Sequence, residues 1–171
     1  MLRMMGAALL IGGTGAFGLG QVLRLRRRAE TLRRLSDALA DMRREITLHR
    51  TPMGELLHRL EKTQPSPVNA LFARAGYLLG ELGGRSFALI WRQAVEETMK
   101  SVLSRQELNA VEEIGCWLGR FDAAQQSAAL DRVRSRLDNY ADAAADAAKK
   151  DGRVKTALGL AAGACCAILL M

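Results

Sequence analysis

The sequence predicts an all-α protein, a six-helix cytoplasmic bundle flanked by N- and C-terminal transmembrane helices. Composition points there first: aromatics are only 5% of 171 residues and prolines number three. That balance suits helices packed on small and aliphatic side chains better than a sheet of β-branched and aromatic ones. Apolar residues then recur at steps of three and four along the middle of the chain, the spacing of one helix face. Both ends, finally, are uncharged runs that abut basic clusters, the pattern of a membrane edge.

The first element is the uncharged run from Met4 to Leu23. As a helix rising 1.5 Å per residue it crosses a hydrocarbon core of ~30 Å. At the other end Thr156 to Met171 is also uncharged; it reaches roughly 24 Å and spans once Lys155 snorkels and the bilayer thins slightly. The expected organisation is therefore an N-terminal transmembrane helix over 1–23, a cytoplasmic helical bundle over 24–155 and a C-terminal transmembrane helix over 156–171. A cleaved signal peptide fits the first run less well, because the arginines that follow it hold their side of the membrane in the cytoplasm.

The net charge of +7 is concentrated at these two edges. Arg24, Arg26, Arg27, Arg28, Arg33 and Arg34 against Glu30 leave +5, and Lys149, Lys150, Arg153 and Lys155 against Asp151 leave +3. With Arg3 counted, residues 35–148 carry −2. A nucleic-acid binder, even a membrane-tethered one, needs a basic face on its folded body, and this distribution does not provide it. The ten basic residues read instead either as a collar against anionic lipid headgroups, each contributing ~1 kcal/mol near such a surface, or as charges that only direct topology.

Gly13, Gly15 and Gly18 match the G-x-G-x-x-G spacing of a dinucleotide-binding loop. That fingerprint requires a strand before it and alternating strands after it, and the helical pattern that follows supplies none. A second explanation suits the glycines better. Gly12, Ala16 and Gly20, with Gly159 and Gly163 in the last run, place small residues every four positions, which lets transmembrane helices approach closely.

Within the bundle, Leu32, Leu35, Leu39, Met42 and Ile46 make the first apolar stripe. Thr51-Pro52 reads as an N-cap and first-turn proline, opening a helix to about Lys62 with Met53, Leu56, Leu57 and Leu60 inward. Ser66-Pro67 repeats that grammar before Val68, Leu71, Phe72, Ala75, Leu78, Leu79 and Leu82. A fourth helix, about Ser86 to Lys100, buries Phe87, Ile90, Trp91, Ala94 and Val95. Ser104 and Glu107 form a capping box for a fifth, with Leu108, Val111, Gly115 and Leu118 inward. Asp122 caps the sixth, which carries Leu130, Val133, Leu137, Tyr140, Ala144 and Ala147 and is expected to end at Asp151-Gly152.

Catalytic, metal and cofactor sites are not expected. His49 and His58 stand on different helices without partner ligands. Glu96-Glu97 and Glu112-Glu113 are adjacent, so each pair diverges by about 100° and cannot share one proton site. Cys116, Cys165 and Cys166 read as small packing residues.

The order of these features resembles the stage III sporulation protein AB family of endospore-forming bacteria, nearly end to end. The residues that carry the resemblance are Leu35, Leu39, Glu45-Ile46, Thr51-Pro52, Leu71-Phe72, Trp91, Glu107, Gly115, Leu118-Gly119, Asp122, Leu158-Gly159 and the closing Ile168-Leu169-Leu170-Met171. The sequence departs in its glycine-rich first run, at Leu48, where an aromatic is commoner, and at Cys116-Trp117. The resemblance implies a bundle similar to the cytoplasmic domain of type II secretion F proteins, held in the mother-cell membrane around the forespore. It further implies a scaffold of the transenvelope channel, working with other stage III sporulation components and a secretion-type ATPase, stage III sporulation protein AA. A homo-oligomer is compatible with the same reading.

Overall fold

The computed structural model describes the backbone of residues 2–81, 84–118 and 122–170, and the side chains of 20–81, 84–118, 122–152 and 154. Among these residues every regular element is helical: α1 Leu2–Arg44, a π-helical turn Glu45–His49, α2 Met53–Thr63, α3 Val68–Glu81, α4 Phe87–Met99, α5 Arg105–Trp117 and α6 Ala123–Leu170. Six α-helices without a strand agree with the expected all-α class. The backbone of Gly13 to Gly18 is helical within α1. The strand-to-helix turn that a dinucleotide loop requires is therefore absent, and that alternative falls.

Contacts divide the chain into two units, Glu30–Ala141 and Met1–Ala29 with Asp142–Met171. In the first, one apolar core joins all the helices. The α1 stripe is inside as expected, with Leu32, Leu35, Leu39 and Met42 at most 1% exposed. Leu56, Leu57 and Leu60 of α2 and Val68, Leu71, Phe72, Ala75 and Leu78 of α3 meet it, and Leu79 packs partly buried on its edge. The core continues through Ile90, Trp91, Ala94, Val95 and Met99 of α4 and Leu108, Val111 and Ile114 of α5.

A close seam lies between α4 and α5. Trp91 is fully buried, its ring centroid 6.0 Å from both Phe72 and Phe87. Its indole N–H donates to the Val111 carbonyl at 2.7 Å. A Cβ at Gly115 would stand 2.9 Å from Trp91 Cβ, closer than real contacts allow. Gly115 is thus the residue that lets α5 lie flat on the indole.

Helix starts follow the predicted chemistry in two cases and depart from it at α2. Glu107 accepts the Ser104 N–H at 2.7 Å in the expected capping box. Asp122 Oδ1 accepts the Gln125 N–H at 2.8 Å and caps α6. At α2 the N-cap is Pro52, not Thr51: the Pro52 carbonyl accepts from Leu56 N–H, while the Thr51 hydroxyl donates to Glu45. At α3 the Ser66 carbonyl accepts from Arg34 at 2.6 Å, fastening this turn to α1.

The sixth helix also runs on. Asp151-Gly152 was expected to stop it, yet α6 continues to Leu170. An interior glycine costs only about 1 kcal/mol relative to alanine, less than the backbone bonds that breaking the helix would forfeit. Leu130, Val133, Leu137 and Ala144 are buried as expected, while Tyr140 and Ala147 are half-buried and Ala141 and Ala148 are the buried residues beside them. In the terminal unit Val22 and Ala29 of α1 and Ala144 and Ala148 of α6 are buried.

Candidate interaction site

The charged residues of the Glu30–Ala141 unit are organised by pairing across helices. Glu96 accepts from Arg105, while the adjacent Glu97 accepts from Arg74 on α3 at 2.5 Å. Glu112 pairs with Arg92 of α4 at 3.4 Å and Glu113 with Arg136 of α6 at 2.7 Å. Adjacent carboxylates thus point to different neighbours, as their helical spacing requires. The Arg105 bond holds Glu96 below the usual carboxylate range, and the Arg74 bond does the same for Glu97. Arg43 of α1 meets Asp131 of α6 at 2.7 Å, and Arg134 donates to the Ser36 carbonyl at 3.2 Å.

Among the described residues Glu96 of α4 also approaches Glu112 of α5, with Arg105 beside both. His58 is exposed and lies 3.3 Å from Glu61 on its own helix; His49 is exposed in the π turn. Among the described residues no three His, Cys, Asp or Glu side chains gather as a metal site. Cys116, expected to pack inward, is exposed, because Gly115 and Ile114 hold the inner face of α5. Cys165 and Cys166 lie outside the described side chains.

The collar residues fall in both units. Arg24, Arg26 and Arg27 are exposed and Arg28 is half-buried in the terminal unit. Lys149 and Lys150, both exposed, join them there, with Lys149 3.4 Å from Asp146. Arg33 and Arg34 belong to the other unit, where Arg34 binds Glu30 and the Ser66 carbonyl. Arg153 and Lys155 lie outside the described side chains, as do Gly12, Ala16, Gly159 and Gly163. A Cβ at Gly20 would meet nothing within 4 Å. Among the described residues no helix is long and apolar enough to cross a membrane, and the side chains of the two uncharged runs lie almost wholly outside those described.

Sequence periodicity gave no sign of the end of the bundle that follows α1. There the helix widens into the π turn and Arg50 takes φ 49°, ψ 37°, its N–H reaching the Glu45 carbonyl. The turn is pinned from the side by Glu45, which accepts from the Thr51 hydroxyl and from Arg59, both at 2.8 Å. The Thr51 bond, reinforced by Arg59, lowers the Glu45 pKa. A hollow of about 460 Å³ opens beside it, lined by Ile46, Arg50, Thr51, Met53, Ala123 and Gln126. The one clue in the sequence is Thr51-Pro52, since a residue before proline is driven out of the α region and a helix end must come upstream.

Comparison with known proteins agrees with this architecture. The chain matches the family described as Stage III sporulation protein AB over residues 3–171. Stage III sporulation protein AB of Bacillus subtilis (strain 168) is 27% identical over 173 residues, covering all of both chains. A solved structure of a stage III sporulation protein AB shares the fold at a TM-score of 0.66 and 22% identity, covering 72% of this chain and 97% of that one. Trp91 and Gly115, two of the residues that carry the resemblance in sequence, are here in direct contact. With the match running from residue 3 to the last residue, the chain belongs to the stage III sporulation protein AB family.

Proposed function

We propose that this protein is a non-enzymatic scaffold of the mother-cell-to-forespore channel, anchored in the mother-cell membrane by both ends and docking a secretion-type ATPase from the cytoplasm. Membership of a sporulation family supports the setting. The observation that carries the anchoring is the position of the charge. The exposed basic residues at 24–27 and at 149–150 belong to one unit and lie near the two uncharged runs in sequence, whereas most arginines of the bundle are paired with its acids. Positive charge beside an apolar run marks the cytoplasmic side. Stage III sporulation protein AA, the ATPase partner that the family resemblance implies, would then meet the bundle and not the spans.

Reporter fusions test the topology. A cytoplasm-active and an export-active reporter are placed in turn after residue 30, after residue 150 and at the C-terminus. The reading expects cytoplasmic signal at the first two sites and external signal at the last. Export of the bundle, or full recovery of the chain in the soluble fraction, overturns the anchoring.

A further inference from the structure

We propose that the tip formed by the π turn, Arg50 and the start of α6 is the docking surface of the bundle, and that it receives a partner segment bringing a carboxylate beside an apolar side chain. The inference rests on the scaffold reading and names the place where the ATPase is held.

Arg50 motivates it. The left-handed region disfavours any residue with a Cβ, and glycine is the usual occupant at a helix C-terminus. The chain does use glycine, Gly84, at its other positive φ among the described residues. At position 50 it keeps an arginine, and among the described residues that guanidinium has no hydrogen bond or ion pair. Non-glycine outliers and π turns concentrate where a side chain or backbone is used for function. Two positions before Arg50, in the π turn, Leu48 is 69% exposed, the most exposed of the large apolar side chains described.

The chemistry of the hollow selects the occupant. Ile46, Met53 and Ala123 offer apolar surface, and no carboxylate is among the described residues that line it. Glu45, the acid of the π turn, is engaged by Thr51 and Arg59. The occupant must therefore supply the negative charge for Arg50 together with an apolar group for the hollow and Leu48. A membrane surface is read by spread basic residues like those at 24–28. One guanidinium beside a concave apolar hollow fits side chains of a protein segment better.

Binding of the purified full-length chain to the purified ATPase, followed by biolayer interferometry, tests this. Leu48→Glu and Arg50→Ala should each weaken binding by about tenfold or more. Arg50→Gly should weaken it equally while raising the Tm by a few degrees, because it removes the backbone strain and the guanidinium together. Leu89→Glu, on an exposed site of α4, should bind as wild type. Undiminished binding by Leu48→Glu and Arg50→Ala overturns the tip and leaves the scaffold reading in place; failure of the wild-type chain to bind overturns both. If the tip variants instead lose only binding to phosphatidylglycerol vesicles, or only convert a dimer to a monomer in light scattering, the occupant is lipid or a second copy and the proposal falls.

Discussion

At the scale of single residues, the same substitution should have opposite signs at two glycines. Gly115 faces the Trp91 Cβ and Cδ1, each 2.9 Å from the position a new Cβ would take. Trp91 cannot swing aside, since it is fully buried between Phe72 and Phe87 and its N–H is held by Val111. Gly115→Ala should therefore destabilise by about 1–3 kcal/mol through overpacking, less the small helix-propensity gain. Gly152 sits inside α6 with nothing within 4 Å of a new Cβ. Gly152→Ala should stabilise by up to about 1 kcal/mol. Thermal and denaturant unfolding of the two variants beside wild type checks both; a neutral Gly115→Ala would show that α4 and α5 are farther apart than described. Trp91 and Gly115 were visible in the sequence as two residues of a familiar pattern. Their mutual contact was not, because twenty-odd positions of separation carry no periodicity.

At the scale of elements, the inward faces were legible because burial imposes the helical period on the sequence, and Leu32 through Ile46 or Val68 through Leu78 obey it. The ends were less so. Capping depends on which of several neighbouring hydroxyls and carboxylates wins, and Thr51 bonds to Glu45 instead of to the start of α2. The π turn adds a residue to one helical turn without changing the apolar pattern around it, so it leaves no trace in periodicity. What the helices share across their exposed faces is ion pairing, and that gives a pH dependence. Glu45, Glu96 and Glu97 each have a folded-state pKa below the 4.5 of the unfolded reference. A depressed carboxylate contributes stability above its unfolded pKa and loses it as the pH falls through the folded one. The Tm should thus be nearly level from pH 7 to about 5 and decline from about 4.5 downward. Glu97→Gln, which removes the Arg74 pair, should lower the Tm at pH 7 and make the acid decline shallower. An equally steep decline in that variant would mean that other groups govern acid unfolding. The contribution of each pair is small, because these side chains are well exposed and screened by solvent.

At the scale of the whole molecule, the division of labour between charge and core decides what can be tested. The bundle buries most of its apolar residues in one cluster and pairs many of its charges across helices. Arg24, Arg26, Arg27 and Arg28 follow the first uncharged run in sequence, and under the proposed anchoring their effect on orientation should be separable from folding. Replacing Arg24, Arg26, Arg27 and Arg28 together by Gln removes four charges from the terminal unit without touching the core of Glu30–Ala141. The orientation of a span follows the Lys and Arg within about 15–20 residues of its ends. On the proposed anchoring, a reporter fused after residue 30 in this variant should show an exported fraction, while Lys149 and Lys150 would still orient the proposed second span. Replacing those two lysines by Gln as well should enlarge that fraction. The collar has a second consequence that the same variants expose, because attraction to anionic headgroups decays within a Debye length and weakens with salt, whereas topology set during insertion does not. A variant with unchanged topology but a bundle released from anionic vesicles by moderate salt would assign these arginines to lipid contact; a variant with mixed topology and salt-independent attachment would assign them to insertion.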